Sequence, residues 1–118
     1  MIVAGFGFRS AATLASLRDA LSRAGGTGVT LLATASDKTE APAFVALAGE
    51  LGLPVAAVTS LDIPTLTDSP AARAARGTGS VAEAAALVAA GPGASLLGQR
   101  AISADRMATC ALATRKDS

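Results

Sequence analysis

The sequence has no histidine and one cysteine, Cys110, and its aromatics are three phenylalanines, Phe6, Phe8 and Phe44. Without histidine, neither a Ser-His nor a Cys-His dyad can be assembled. With a single cysteine as well, no zinc site and no histidine-ligated cobalt or haem site is expected, and neither a metal nor a resident cofactor is assigned. No intramolecular disulfide can form, which suits a reducing cytoplasm. Cys110 falls in the middle of a predicted strand and is taken as a small core residue. The net charge of +1 gives no general attraction to nucleic acid or to a membrane surface. The basic residues are scattered and not interleaved with aromatics, which also argues against a nucleic-acid surface. The longest uncharged run, residues 84–99, is too short to span a bilayer and is interrupted by Gly91-Pro92-Gly93. The start of the chain lacks the basic region of a signal peptide. A soluble, cytoplasmic protein is expected.

What the chain does have is small apolar residues: 51% of its 118 residues are hydrophobic, enough for one domain with an ordinary core built from Ala, Val and Leu. Residues 1–4 form an apolar run that suits a buried strand feeding a tight turn at Gly5-Phe6-Gly7. Thr13 caps a helix whose apolar stripe is Leu14, Leu17, Leu21 and Ala24, and Gly25-Gly26 ends it. Residues 29–34 read as a second strand. Pro42 opens a second helix with Phe44, Leu47, Ala48 and Leu51 on its core face, and Gly52 stops it before a third strand at 55–58. The signal weakens from 59 to 77, where Pro70 starts a brief helix through Ala75 in the segment best suited to move.

The best-defined element follows. Ser80 precedes an alanine-rich run and Glu83 stands three residues later, so the hydroxyl and the carboxylate are expected to satisfy each other's backbone N–H groups as a capping box. Gly91 supplies a left-handed C-terminal position and Pro92 prevents the helix from resuming. Gly77-Thr78-Gly79-Ser80 leaves the helix N-terminus unshielded, a candidate oxyanion site. A capped helix that binds nothing is the plainer alternative. Residues 94–97 and 107–114 then read as two strands joined around Ser103-Ala104-Asp105 as an antiparallel hairpin, and residues 116–118 as a fraying tail.

This order predicts a single three-layer α/β/α domain with a mostly parallel sheet of about five strands and an antiparallel edge hairpin. Open sheets of this kind bind ligands beyond the carboxyl ends of their strands. The rim so defined carries Arg9, Ser10, Asp37, Lys38, Glu40, Thr59, Ser60, Thr78 and Ser80, with Arg73 and Arg76 near enough to arch over it. A solvated polar edge is the plain alternative. Gly5-Phe6-Gly7-Phe8-Arg9-Ser10 imitates a dinucleotide fingerprint, but Ser10 replaces its third glycine and no acidic residue ends the second strand, so NAD binding is set aside. No Gly-Lys-Ser/Thr phosphate loop occurs.

Gly79-Ser80-Val81-Ala82-Glu83-Ala84-Ala85-Ala86-Leu87, followed by Ala90-Gly91, resembles the most regular segment of the CobE and CbiG C-terminal domain family of cobalamin (vitamin B12) biosynthesis. Ile2-Val3-Ala4-Gly5-Phe6-Gly7-Phe8-Arg9, Asp37-Lys38-Thr39-Glu40, Leu51-Gly52-Leu53-Pro54 and Ala108-Thr109-Cys110-Ala111-Leu112-Ala113 are similar to further family segments in the same order. The resemblance covers nearly the whole chain, and residues 1–118 are taken as one domain. It implies a precorrin or cobalt-corrinoid ligand, a broad macrocycle fringed with carboxylates, which a rim of amides, hydroxyls, Arg and Lys would receive. The implied binding residues are Gly5, Phe6, Gly7, Arg9, Ser10, Asp37, Lys38, Thr59, Ser60, Thr78, Gly79 and Ser80. Phe6 and Phe8 serve equally as ring contacts or as core.

The leading expectation is a carrier or pathway accessory that binds a corrin-ring intermediate, with precorrin methyltransferases as possible partners. The enzyme alternative is a CbiG-type opening of the ring-A lactone with loss of acetaldehyde. Lys38 or Glu40 would then transfer the proton, and the Gly79-Ser80 amides would stabilise the oxyanion. A non-catalytic α/β interaction module is the third alternative. The chain departs from the family pattern in lacking the N-terminal region of full-length CbiG, in Phe8 where many relatives carry Cys, and in Gly98-Gln99-Arg100 where a Pro-Lys segment is expected. These departures favour the freestanding CobE type and place binding ahead of catalysis.

Overall fold

The computed structural model describes residues 1–70, 72–73 and 79–115. Among these, six strands form one sheet: β1 (Ile2–Phe8), β2 (Leu31–Ala35), β3 (Val55–Val58), β4 (Ser95–Leu96), β5 (Ala101–Ile102) and β6 (Ala108–Thr114). Helices α1 (Leu14–Arg23), α2 (Pro42–Leu51) and α3 (Val81–Ala90) flank it, and a 3-10 turn, Ser36–Lys38, follows β2. Pro70, Ala72 and Arg73 are helical, as expected of a turn opened by Pro70, while Ala71, Ala74 and Ala75 lie outside the described residues.

The strand order is β3-β2-β1-β6-β4, with β5 also beside β6. β1 pairs parallel to β2, β2 parallel to β3, and β6 antiparallel to β1, β4 and β5. Every strand except β6 therefore points the same way, so the expected mostly parallel sheet is present. The antiparallel hairpin around residues 103–105 is present too, but its first arm is β5, a two-residue strand with no readable pattern. β4 joins the same edge of β6 separately, Leu97 N still donates to Leu112 O, and residues 98–100 bulge out between β4 and β5.

Alternation along the strands sends side chains to two cores. Ala4, Phe6, Leu32, Cys110 and Leu112 meet Leu17 and Ala20 of α1 and Phe44 and Leu47 of α2. Phe6 packs edge-on against Phe44 with ring centroids 5.8 Å apart, and Phe8 stacks on the same ring at 5.9 Å. On the other face, Val3, Ala33, Val58 and Ala113 meet Ala85, Ala86 and Ala90 of α3. The layers are thus α1 and α2, then the sheet, then α3. Leu51, expected in the core, ends α2 and stays 40% exposed.

Residues 5–7, expected as a tight turn, instead continue β1. The glycines serve close packing. A Cβ on Gly5 would lie 2.1 Å from the Ala82 carbonyl oxygen and 2.5 Å from the Ala86 amide nitrogen, so only a bare backbone lets α3 settle onto the strand.

The helix ends carry a second correction. Ser80 Oγ does accept from the Glu83 N–H at 3.3 Å, but the Glu83 side chain does not return to Ser80; it turns to two loops. The reciprocal capping box occurs at α1, where Thr13 Oγ1 accepts from Ser16 N and Ser16 Oγ accepts from Thr13 N. Gly91 ends α3 at φ 94° and ψ −178°, a glycine-only conformation different from the left-handed helical one expected. Among the described residues no helix is long and apolar enough to cross a membrane.

Candidate functional site

Because β6 runs backwards, its amino end lies beside the carboxyl end of β1, Phe8 opposite Ala108. Around this point an open cleft of about 560 Å³ is sunk into the carboxyl rim of the sheet. Gly7, Phe8 and Arg9 enter it from β1 and just beyond, Lys38 from the turn after β2, and Val81 from the first position of α3. Ile102, Arg106, Met107 and Thr109 come from the β5–β6 hairpin, Arg100 from the bulge before it, and Ser69 and Ala72 from the segment ahead of α3. The volume falls within the roughly 300–1,000 Å³ typical of small-molecule sites.

Among the described residues the lining includes the basic residues Arg9, Lys38, Arg100 and Arg106 and no acidic residue. The ion pairs among the described residues, Arg18–Glu50, Arg23–Asp19 and Arg73–Asp68, leave these cations out. The Lys38 ammonium stands 5.2 Å over the Phe8 ring, itself fixed by stacking on Phe44, which orients this charge without neutralising it. The apolar share of the wall comes from Phe8, Val81, Ile102 and Met107. Such a surface favours a ligand with an apolar body and several anionic groups.

Carboxylates outside the lining hold the basic loops in place. Asp105 accepts from Ser103 Oγ at 2.6 Å, from Ser16 Oγ and from Met107 N at 3.0 Å. These bonds, that from Ser103 foremost, hold its carboxyl below the usual range. Asp19 accepts from Ala104 N at 2.7 Å and pairs with Arg23, and its carboxyl is lowered first by the Ala104 bond and then by Arg23. The hairpin turn is thereby tied to α1, and Arg106 adopts a positive φ of 62° within it. Arg9 N donates to Met107 O at 2.9 Å, joining the β1 side of the cleft to the same turn. Among the described residues no group of three or more His, Cys, Asp or Glu side chains could hold a metal ion.

The model of the family described as cobalamin synthesis G C-terminus matches residues 2–113. The chain belongs to that family. Among solved structures, it is similar to CobE, a protein from the cobalamin (vitamin B12) biosynthetic pathway, at 34% identity and a TM-score of 0.82, covering 96% of this chain and 89% of CobE. It is also similar to the cobalamin biosynthesis protein chiG from Agrobacterium tumefaciens, at 34% identity and a TM-score of 0.73 over 99% of this chain and 100% of that one. A cobalamin biosynthesis protein G homologue from Sulfolobus solfataricus shares the fold at 19% identity and a TM-score of 0.71, over 98% of this chain and 37% of that chain. No curated protein matches the sequence. The chain is therefore a cobalamin biosynthesis pathway protein of the CobE/CbiG C-terminal type.

In this family member, Gly7, Arg9 and Lys38 of the expected binding set meet in the cleft. Gly5 and Phe6 do not reach it: Gly5 lies under α3 and Phe6 is fully buried against Phe44. Gly79 and Ser80 are buried as well. A Cβ on Gly79 would lie 2.4 Å from the Thr67 carbonyl oxygen, so the preceding segment roofs the helix N-terminus that was expected to be open. Ser10, Asp37 and Glu40 are exposed outside the lining, and Thr59 and Ser60 are exposed past β3, two strands away from β1. Arg73 pairs with Asp68 at 2.7 Å. Thr78 and Arg76 lie outside the described residues, as does the 116–118 tail.

The sequence reading missed Arg100, Arg106, Ile102 and Met107. Their one available signal was the pair of arginines flanking the hairpin turn. Cys110 is buried, and burial pushes its thiol well above the ordinary value, as befits a core residue.

Proposed function

We propose that this chain binds a corrin-ring intermediate of cobalamin biosynthesis in the basic cleft, as a carrier or accessory of the pathway. The observation that carries this reading is the convergence of Arg9, Lys38, Arg100 and Arg106 on one cleft with no acidic residue among its described lining. Precorrins present acetate and propionate carboxylates around an apolar ring. Guanidinium groups would take the carboxylates in forked hydrogen bonds, and Phe8, Ile102 and Met107 would lie against the ring. The macrocycle would rest across the open mouth with part of its edge seated.

Binding stands ahead of lactone hydrolysis. Of the two proton-transfer candidates, Lys38 lines the cleft and Glu40 does not, and the Gly79-Ser80 amides proposed for the oxyanion are covered. Incubation with a lactone-bearing precorrin and with its cobalt form, followed by absorbance and product mass together, decides between them. An absorbance shift at unchanged mass, weakened by Arg9→Ala, is the expected outcome. A product that has lost acetaldehyde and gained one water, its formation abolished by Lys38→Ala while binding persists, would replace the carrier with an enzyme. No signal at high protein concentration would remove the direct corrinoid role.

A further inference from the structure

Glu83 is a fully buried carboxylate on the first turn of α3, and helix capping does not account for it. Its Oε1 accepts from the Thr67 N–H at 2.7 Å, and its Oε2 accepts from Thr67 Oγ1 at 2.7 Å and from the Arg100 N–H at 2.8 Å. The two loops it reaches are separate in sequence and both enter the cleft. Two residues past Thr67, Ser69 lines one wall and is tied by its own N–H to Gly79 O at 2.7 Å; Arg100 lines another. The bulge at residues 98–100 breaks the edge strand, freeing the Arg100 N–H from β6, and Glu83 is where that N–H goes.

We propose that Glu83 is the positioning residue of the cleft, a clamp that holds the Ser69 wall and the Arg100 wall in register so that the Arg100 guanidinium faces the ligand. The inference rests on the corrinoid-binding reading above and adds a residue to it that does not touch the ligand. A site gains accuracy when the loops presenting its contacts are locked by buried, fully satisfied polar groups, and Glu83 spends its oxygens on this.

Glu83→Gln is the informative substitution. Either orientation of the new amide sets an N–H against the Thr67 N–H or against the Arg100 N–H, so one wall is released while the side-chain volume is kept. Binding is measured by absorbance titration with cobyrinic acid, a corrin with free carboxylates, alongside backbone amide exchange without ligand. The expected result is affinity weaker by about tenfold or more, with faster exchange at Thr67 or Arg100 and unchanged exchange in β1 and β6. In an Arg100→Ala background the same substitution should cost less, because part of its effect runs through that guanidinium. Additive losses would reduce Glu83 to general stability and overturn the proposal, as would affinity within about twofold of the parent.

If Glu83→Gln fails to fold, Thr67→Val removes one bond at constant shape; weakened binding restored by Thr67→Ser upholds the clamp, and unchanged binding overturns it. If the parent protein does not bind the probe, the corrinoid reading falls first. The exchange measurement then decides the clamp alone: parent-like exchange at Thr67 and Arg100 in Glu83→Gln overturns it, and faster exchange upholds it.

Discussion

At Gly5 the fold depends on the absence of a side chain. Gly5→Ala would place a methyl within 2.1 Å of the Ala82 carbonyl oxygen, where neither backbone yields cheaply. We expect a loss of about 1–3 kcal/mol or more, seen as a fall of several degrees in thermal midpoint. Arg106→Ala tests the other kind of residue, a cation in the cleft. It should weaken corrinoid binding about tenfold, the range for a hydrogen bond to a charged group, with the thermal midpoint nearly unchanged. Arg73→Ala, at an exposed pair with Asp68, should leave binding as it was. Gly5 also shows why single residues were hard to read from sequence: a glycine that makes a turn and a glycine that admits a helix use the same letter, and only the placement of Ala82 and Ala86 separates them. Glu83 was ambiguous in the same way, since its spacing from Ser80 satisfies a capping box whether or not the carboxylate turns back.

Elements were legible where both ends carry chemistry. Helix α3 begins at the Ser80 cap and ends at Gly91, as its sequence announces, and Ser80→Ala should cost about 1 kcal/mol of stability in chemical denaturation. β5 was not legible, because two residues carry no period, and with it Arg100 and Arg106 lost their place on the rim. The hairpin turn is held by Asp105 and Asp19, whose carboxyls are both lowered in the folded protein. A lowered folded value means that each contribution is complete above the unfolded carboxyl range near 4 and is lost as pH falls through the folded value. Thermal midpoints measured from about pH 5 downward should therefore fall in acid, and Asp105→Asn should both lower the neutral-pH midpoint and flatten that acid slope.

At the scale of the molecule, a nearly neutral chain gathers Arg9, Lys38, Arg100 and Arg106 at one end of its sheet. Corrinoid affinity should therefore fall as salt rises from low ionic strength toward 0.5 M, where screening shortens the range of these charges from about 10 Å to less than half that. The three-layer plan and the rim that holds the cleft follow from the order of elements, which local patterns preserve. Which rim residues converge was set by the reversal of β6, a long-range pairing that no local pattern records. The same strand governs how the chain reaches its fold. Among the described residues β6 comes after every other strand, yet it fills the place between β1 and β4, with Thr114 beside Ile2. A nascent chain still short of residue 108 has an unpaired edge on β1 and an alanine face on α3 with part of its floor missing. Completion of the sheet must wait until residues 108–114 have been made, and until then that open edge is exposed to other chains in the crowded space around the ribosome.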